Sequence, residues 1–226
     1  MSTANKYLIL LLFSLSMYLP ASAQKIKVQI DSPQGLKGRK AVLSTCERGF
    51  AATVHSVKLG YLPLELEIDP GLVPDLYQLH VSQVNGSLFF FLEPGTKIHL
   101  DTTDLSRSVV TNSKSNPEWE LFQNSVVKPS SRKNSAFTVG ETRARKSGNL
   151  DSLKFWSEQK ALEHAEFLDK TEAFIRNNPK SFVSLYLLKN NWYAFQNKRI
   201  LETLDLSLSH HRTYVALSGK QGSKLR

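Results

Sequence analysis

Five consecutive apolar residues, Leu88-Phe89-Phe90-Phe91-Leu92, constrain this chain more than any other stretch. Successive side chains of a strand point to opposite faces, so a strand built from this run has no polar face to turn to water. It must be covered on both sides, or one of its aromatic faces must be met by a partner. Glu93-Pro94-Gly95 follows at once. Proline presets φ for the first central position of a turn and glycine supplies positive φ at the second, which predicts a hairpin between 88–92 and 97–101.

The residues before this run read as further short strands. Ile26, Val28 and Ile30 alternate with Lys25, Lys27 and Gln29, the period of a half-buried strand. Strands are also predicted over 40–45, 53–58, 62–68 and 76–81, with Pro63 confining the fourth to an edge and Asn85-Gly86 turning the chain into the apolar run. Short strands at near-regular spacing imply an antiparallel β-sandwich or open barrel from about residue 24 to 112.

The period then changes. Asn116-Pro117 reads as a helix cap followed by proline at the first helical position, with Trp119, Phe122 and Val126 on one face, so a helix should dock on the sheet and close a β-rich unit over 24–127. Residues 128–148, rich in Ser, Lys and Arg, read as a basic flexible loop. A helical segment over 149–217 follows, with a long helix from Leu150 to Asn177, a second start at Asn178-Pro179, a mostly apolar helix over 182–195 and a short last helix. Residues 218–226 show no periodicity and read as a disordered tail. The predicted fold class is α+β, a β-sandwich or open barrel followed by three to four helices.

At the N-terminus Lys6 precedes an apolar run, and Ala21-Ser22-Ala23 supplies the small-x-small pattern of a signal-peptidase site. Residues 1–23 are therefore expected to be a signal peptide cut between Ala23 and Gln24, placing the protein in the periplasm or cell envelope. Pro20 ends the run short of the roughly 20 apolar residues a spanning helix needs, so no membrane span is expected after cleavage. The lone Cys46 excludes an internal disulfide, a Cys-x-x-Cys pair and a cysteine-based zinc site, and it reads as a small buried hydrophobe. Net charge is +9, of which Lys6 supplies one, leaving +8 on the mature chain. Lys128, Arg132, Lys133, Arg143, Arg145 and Lys146 face only Glu141 across 127–148, but an exported protein rarely meets nucleic acid, and a solvated surface or an acidic envelope partner is expected instead.

No assembled catalytic motif appears. His99 and Asp101 share a strand face as metal ligands can, but two ligands make no site. His164 reads as a core or interface histidine, and His210-His211 as surface. No metal, cofactor or catalytic residue is expected, and the residues set aside for a partner are Phe89 and Phe91.

The order of an export signal, a β-rich segment with Asp75-Leu76-Tyr77-Gln78-Leu79, then Leu88-Phe89-Phe90-Phe91-Leu92-Glu93-Pro94-Gly95-Thr96-Lys97-Ile98-His99-Leu100, a long helix and Asn178-Pro179-Lys180-Ser181 resembles the N-terminal region of envelope thiol-disulfide oxidoreductases of the TlpA/ResA type. In that family a small β domain and a helical segment precede a thioredoxin domain. The resemblance implies an accessory, non-catalytic module, because the Cys-x-x-Cys that carries the family's chemistry has no counterpart in this sequence. It also implies a thioredoxin-fold or other envelope protein as partner, either for a binding module or for one subunit of a split redox system.

Overall fold

The computed structural model describes residues 26–46, 52–69, 71 and 73–222. The expected signal peptide, its Ala23–Gln24 cleavage point and the last four residues lie outside them. Eight strands form two four-stranded sheets. One holds β1 (Ile26–Asp31), β4 (Leu64–Ile68), β7 (Lys97–His99) and β8 (Val109–Thr111) in the order β4-β1-β7-β8, and the other holds β2 (Lys40–Thr45), β3 (Thr53–Lys58), β5 (Asp75–Val81) and β6 (Leu88–Leu92) in the order β3-β2-β5-β6. Every pairing is antiparallel except β1 with β7. The inner faces share one core, in which Val28, Ile30 and Ile98 meet Leu43, Tyr77 and Phe90. The α+β class and its sandwich are thus as the alternation predicts, and β4 lies at an edge, as Pro63 requires.

The Glu93-Pro94-Gly95 turn does not make the predicted hairpin. Gly95 has φ +82° and the Thr96 amide donates to the Glu93 carbonyl at 3.1 Å, the geometry of a type II turn. Turns of that hand splay their flanking strands, whereas the primed types match strand twist. The turn therefore carries the chain from β6 in one sheet to β7 in the other, where β7 pairs with β1 and β8. The partner of β6 is β5, with Leu76 opposite Phe91 and Gln78 opposite Phe89. Their connection turns at Gly86, where φ is +69° and a Cβ would lie 2.6 Å from the Asp104 carboxylate.

Helix α1 (Ser115–Phe122) runs through a π-turn (Gln123–Val127) into α2 (Lys128–Ser147), and α3 (Leu150–Asn177), α4 (Phe182–Asn190), α5 (Trp192–Phe195) and α6 (Arg212–Gly222) follow. The basic loop expected over 128–148 is thus a 20-residue helix. Low apolar content hides it, since α2 packs on α3 through Ala144, through Gly140 set flat against the Trp156 indole, and through ion pairs from Lys133 to Glu163 and Glu166 and from Lys160 to Glu141. Its ends obey helix rules, with Pro129 in the first turn and Gly148 at φ +67° closing the last. The tail expected from 218 is helical as far as Gly222. The caps differ too. Asn178 ends α3, and the Ser181 hydroxyl caps α4 by accepting from the Val183 and Ser184 amides while donating to Glu118.

The helices build a second core on the outer face of the β3-β2-β5-β6 sheet. Leu76 and Phe91 leave the sheet on this side and meet Phe122, Val126, Ile175, Val183, Leu187 and Leu188. Phe91 has no exposed surface and packs edge-on against Trp119 and Tyr186, with ring centroids 5.9 and 5.6 Å away. Asp75, at the start of β5, is buried and receives Lys189 of α4 at 2.9 Å and Arg212 of α6 at 3.2 Å, joining sheet and helices by charge as well as by apolar packing. Truncating a fully buried Phe costs about 3 to 5 kcal/mol. Phe91→Ala should therefore lower unfolding free energy by about that amount, whereas Phe89→Ala should change it by about 1 kcal/mol or less, since Phe89 is half exposed. Urea denaturation of the two variants measures the difference, and equal losses would contradict this division of the strand.

Candidate partner-binding groove

Strand β6 is an edge strand, and its open side begins at Phe89. The Leu76 carbonyl accepts from the Cys46 amide on the β2 side, so the pairs Leu76–Phe91 and Gln78–Phe89 are the non-hydrogen-bonded ones of the β5–β6 ladder. The N–H and C=O of both phenylalanines consequently point away from the sheet. At Phe91 they are met by the side chain of Asn116, whose Oδ1 accepts from the Phe91 amide at 2.9 Å and whose Nδ2 donates to the Phe91 carbonyl at 2.8 Å. At Phe89, among the described residues, no group meets them.

Asn116 is set in place by the turn that follows β6. The buried Glu93 carboxylate accepts from the Lys114 amide at 2.7 Å, from the Ser115 amide at 3.2 Å and from the hydroxyls of Ser113 and Ser115. A carboxylate on the free N–H groups of a helix start is favoured by hydrogen bonding and by the helix dipole. The pair Glu93 and Asn116 thus clamps the start of α1 onto the end of β6.

Between α1, the Phe89 end of β6 and the edge of the other sheet lies a groove of about 660 Å³. One wall is a single helical stripe, Asn116, Trp119, Glu120, Gln123, Asn124 and Lys128. The opposite wall is Ser106, Ser108 and Val110, and Phe89, 49% exposed, stands between them. The stripe passes through the π-turn, a local distortion found often at functional sites. At the inner end sit Cys46, Leu76 and Tyr186. Burial, with the nearby Asp75 carboxylate, pushes the Cys46 thiol up to about 11, and burial pushes the Tyr186 phenol up to about 12. Both are neutral at pH 7, so neither side chain brings a charge to this end of the groove.

Of the two residues expected to face a partner, only Phe89 opens on the groove; Phe91 is covered by the chain's own helices and serves packing. The other candidates are scattered. His99 pairs with Asp31 at 3.0 Å, while Asp101 folds its carboxylate onto Thr103 and the Asp104 amide, hydrogen bonds that hold it down at about 2. His164 lies beside α2 near Ser131 and Phe167. His211 is not on the surface as expected: it is half-buried, its Nδ1 accepts from the Thr213 amide and its Nε2 donates to the Pro74 carbonyl at 2.8 Å. Burial lowers its pKa below the ordinary 6.5, so the unfolded chain takes up a proton the folded ring resists, and stability is lost as pH falls through 6.5. Among the described residues no three His, Cys, Asp or Glu side chains gather to hold a metal ion, and no helix is long and apolar enough to cross a membrane.

Sequence reasoning placed Trp119 on an apolar face and missed the amides around it. The signal was present, because Asn116, Gln123 and Asn124 recur at helical spacing with Trp119 on one face. Fold and groove together define an α+β protein with an open edge strand beside an aromatic cleft. No family model, curated protein or solved structure matches the chain. The chemistry of Cys46 supplies a direct check. Its alkylation by iodoacetamide in the folded protein should follow the thiolate and rise with a midpoint near pH 11, against the ordinary value of 9.0 in urea. A midpoint at or below 9 in the folded protein would contradict a neutral thiol held by burial at the inner end of the groove.

Proposed function

We propose that this chain is a non-catalytic binding module, the accessory part of an exported thioredoxin-like envelope oxidoreductase, and that the groove beside Phe89 holds its partner. One observation carries this reading. Phe89 is a large aromatic left half exposed on an otherwise fully buried strand, at the mouth of a 660 Å³ cleft walled by Trp119 and a row of amides. Aromatic side chains with adaptable amides around them suit recognition of a polypeptide surface. The lack of a Cys-x-x-Cys pair, and a Cys46 thiol that burial holds protonated at neutral pH, support binding rather than thiol exchange.

The reading is tested by placing a photoreactive phenylalanine analogue at position 89, at position 123, or at the remote and exposed Leu62 of the sandwich. Irradiation of the exported protein in its own envelope should give one adduct shared by positions 89 and 123 and absent at 62, with mass spectrometry identifying a thioredoxin-fold or other envelope protein. Adducts of equal yield at all three positions, or none at 89 and 123, would contradict the proposal.

A further inference from the structure

We propose that the groove takes an extended segment of its partner as an added antiparallel strand on β6, with a single apolar side chain of that segment laid beside Phe89. The inference rests on the groove being a partner site and adds the chemistry of what it holds.

Three observations lead to it. The outward N–H and C=O of Phe89 lack a partner among the described residues, although an edge strand's backbone groups are a ready template for another strand. The same two groups at Phe91 are occupied by the side-chain amide of Asn116, which mimics a peptide group and ends the open edge there. Space agrees with this length. At 3.3 Å rise, 4.8 Å between strands and 10 Å between layers, a strand residue claims roughly 160 Å³. The groove of about 660 Å³ therefore takes about four residues, the span from Ser87 to Phe90 before Asn116 closes the edge.

The geometry also sets the segment's chemistry. In an antiparallel addition, the residue opposite Phe89 exchanges two hydrogen bonds with it and points its side chain to the same face. That face carries Trp119 and Gln123, so an apolar residue fits. Its neighbours point the other way, towards Ser106 and Ser108, where small polar residues fit. The occupant is thus an extended stretch with one apolar residue between small hydroxyl ones. A second copy of this chain joined edge to edge is the rival occupant.

A blocked seven-residue peptide of threonine and serine around a central leucine is the probe. Titration into the purified protein should shift the Phe89 amide resonance and saturate below 1 mM, about the weak end of measurable affinity. Methylating the leucine amide, which removes a donor to the Phe89 carbonyl, should weaken binding about tenfold, while methylating the adjacent amide, which points away from β6, should change it less than about twofold. Phe89→Ala should weaken it about fivefold or more. Equal binding by both methylated peptides, with dependence on Phe89 kept, would overturn strand addition and leave the groove as a partner site. No shift at Phe89 with 1 mM peptide would overturn the inference, as would a protein that sediments as a dimer and becomes a monomer on Phe89→Ala.

Discussion

Everything in this molecule depends on β6 having no polar face. A strand of five apolar residues must bury both sides, and a single small sheet can cover only one of them. The second sheet takes Leu88, Phe90 and Leu92, and the helices take Phe91. The helical half is therefore the other half of the fold's core, and its position is set by where Phe91 leaves the sheet. Burial is complete at every β6 residue except Phe89, where the helical cover stops one residue pair short.

Helix α1 connects these facts. Its start is fixed by the Glu93 carboxylate, its Asn116 completes the backbone bonding of Phe91, and its Trp119 closes over the Phe91 ring. The same helix then turns its outer stripe to the groove. A single element thus decides both how much of β6 is sealed and what lines the part left open. Asp75, opposite Leu92 at the start of the neighbouring strand, repeats the arrangement, and there Lys189 and Arg212 bind the later helices to β5. Removing one member of a buried ionic cluster leaves charge without compensation, so this corner resists piecemeal change.

The sandwich was largely legible in the sequence because period-2 alternation is a local signal: the strands at 40–45, 53–58 and 88–92 lie where the alternation and apolar runs put them. The long helix from Leu150 to Asn177 was legible for the same reason. What failed was non-local or polar. The partner of β7 could not be read from a turn, because Pro94-Gly95 fits both a hairpin and a crossover between sheets. Helix α2 carries no apolar stripe, and it forms because Gly140 admits the Trp156 indole and because lysines on one helix meet glutamates on the other. Only its ends, Pro129 and Gly148, announced it. At the groove, Phe89 was singled out by its place in the run, whereas the hydrogen-bond phase that frees its backbone depends on the β2–β5–β6 register, which no single strand encodes.

Native-state hydrogen exchange along β6 tests the central claim most directly. Local protection reports whether each amide is paired within a stable core. The amides of Phe90 and Leu92, paired with β5, and that of Phe91, held by Asn116, should exchange only through global unfolding, while the Phe89 amide should exchange at least about a hundredfold faster. A Phe89 amide as slow as its neighbours in the free protein would mean that the edge is already closed, and the account of an open strand awaiting a partner would be wrong.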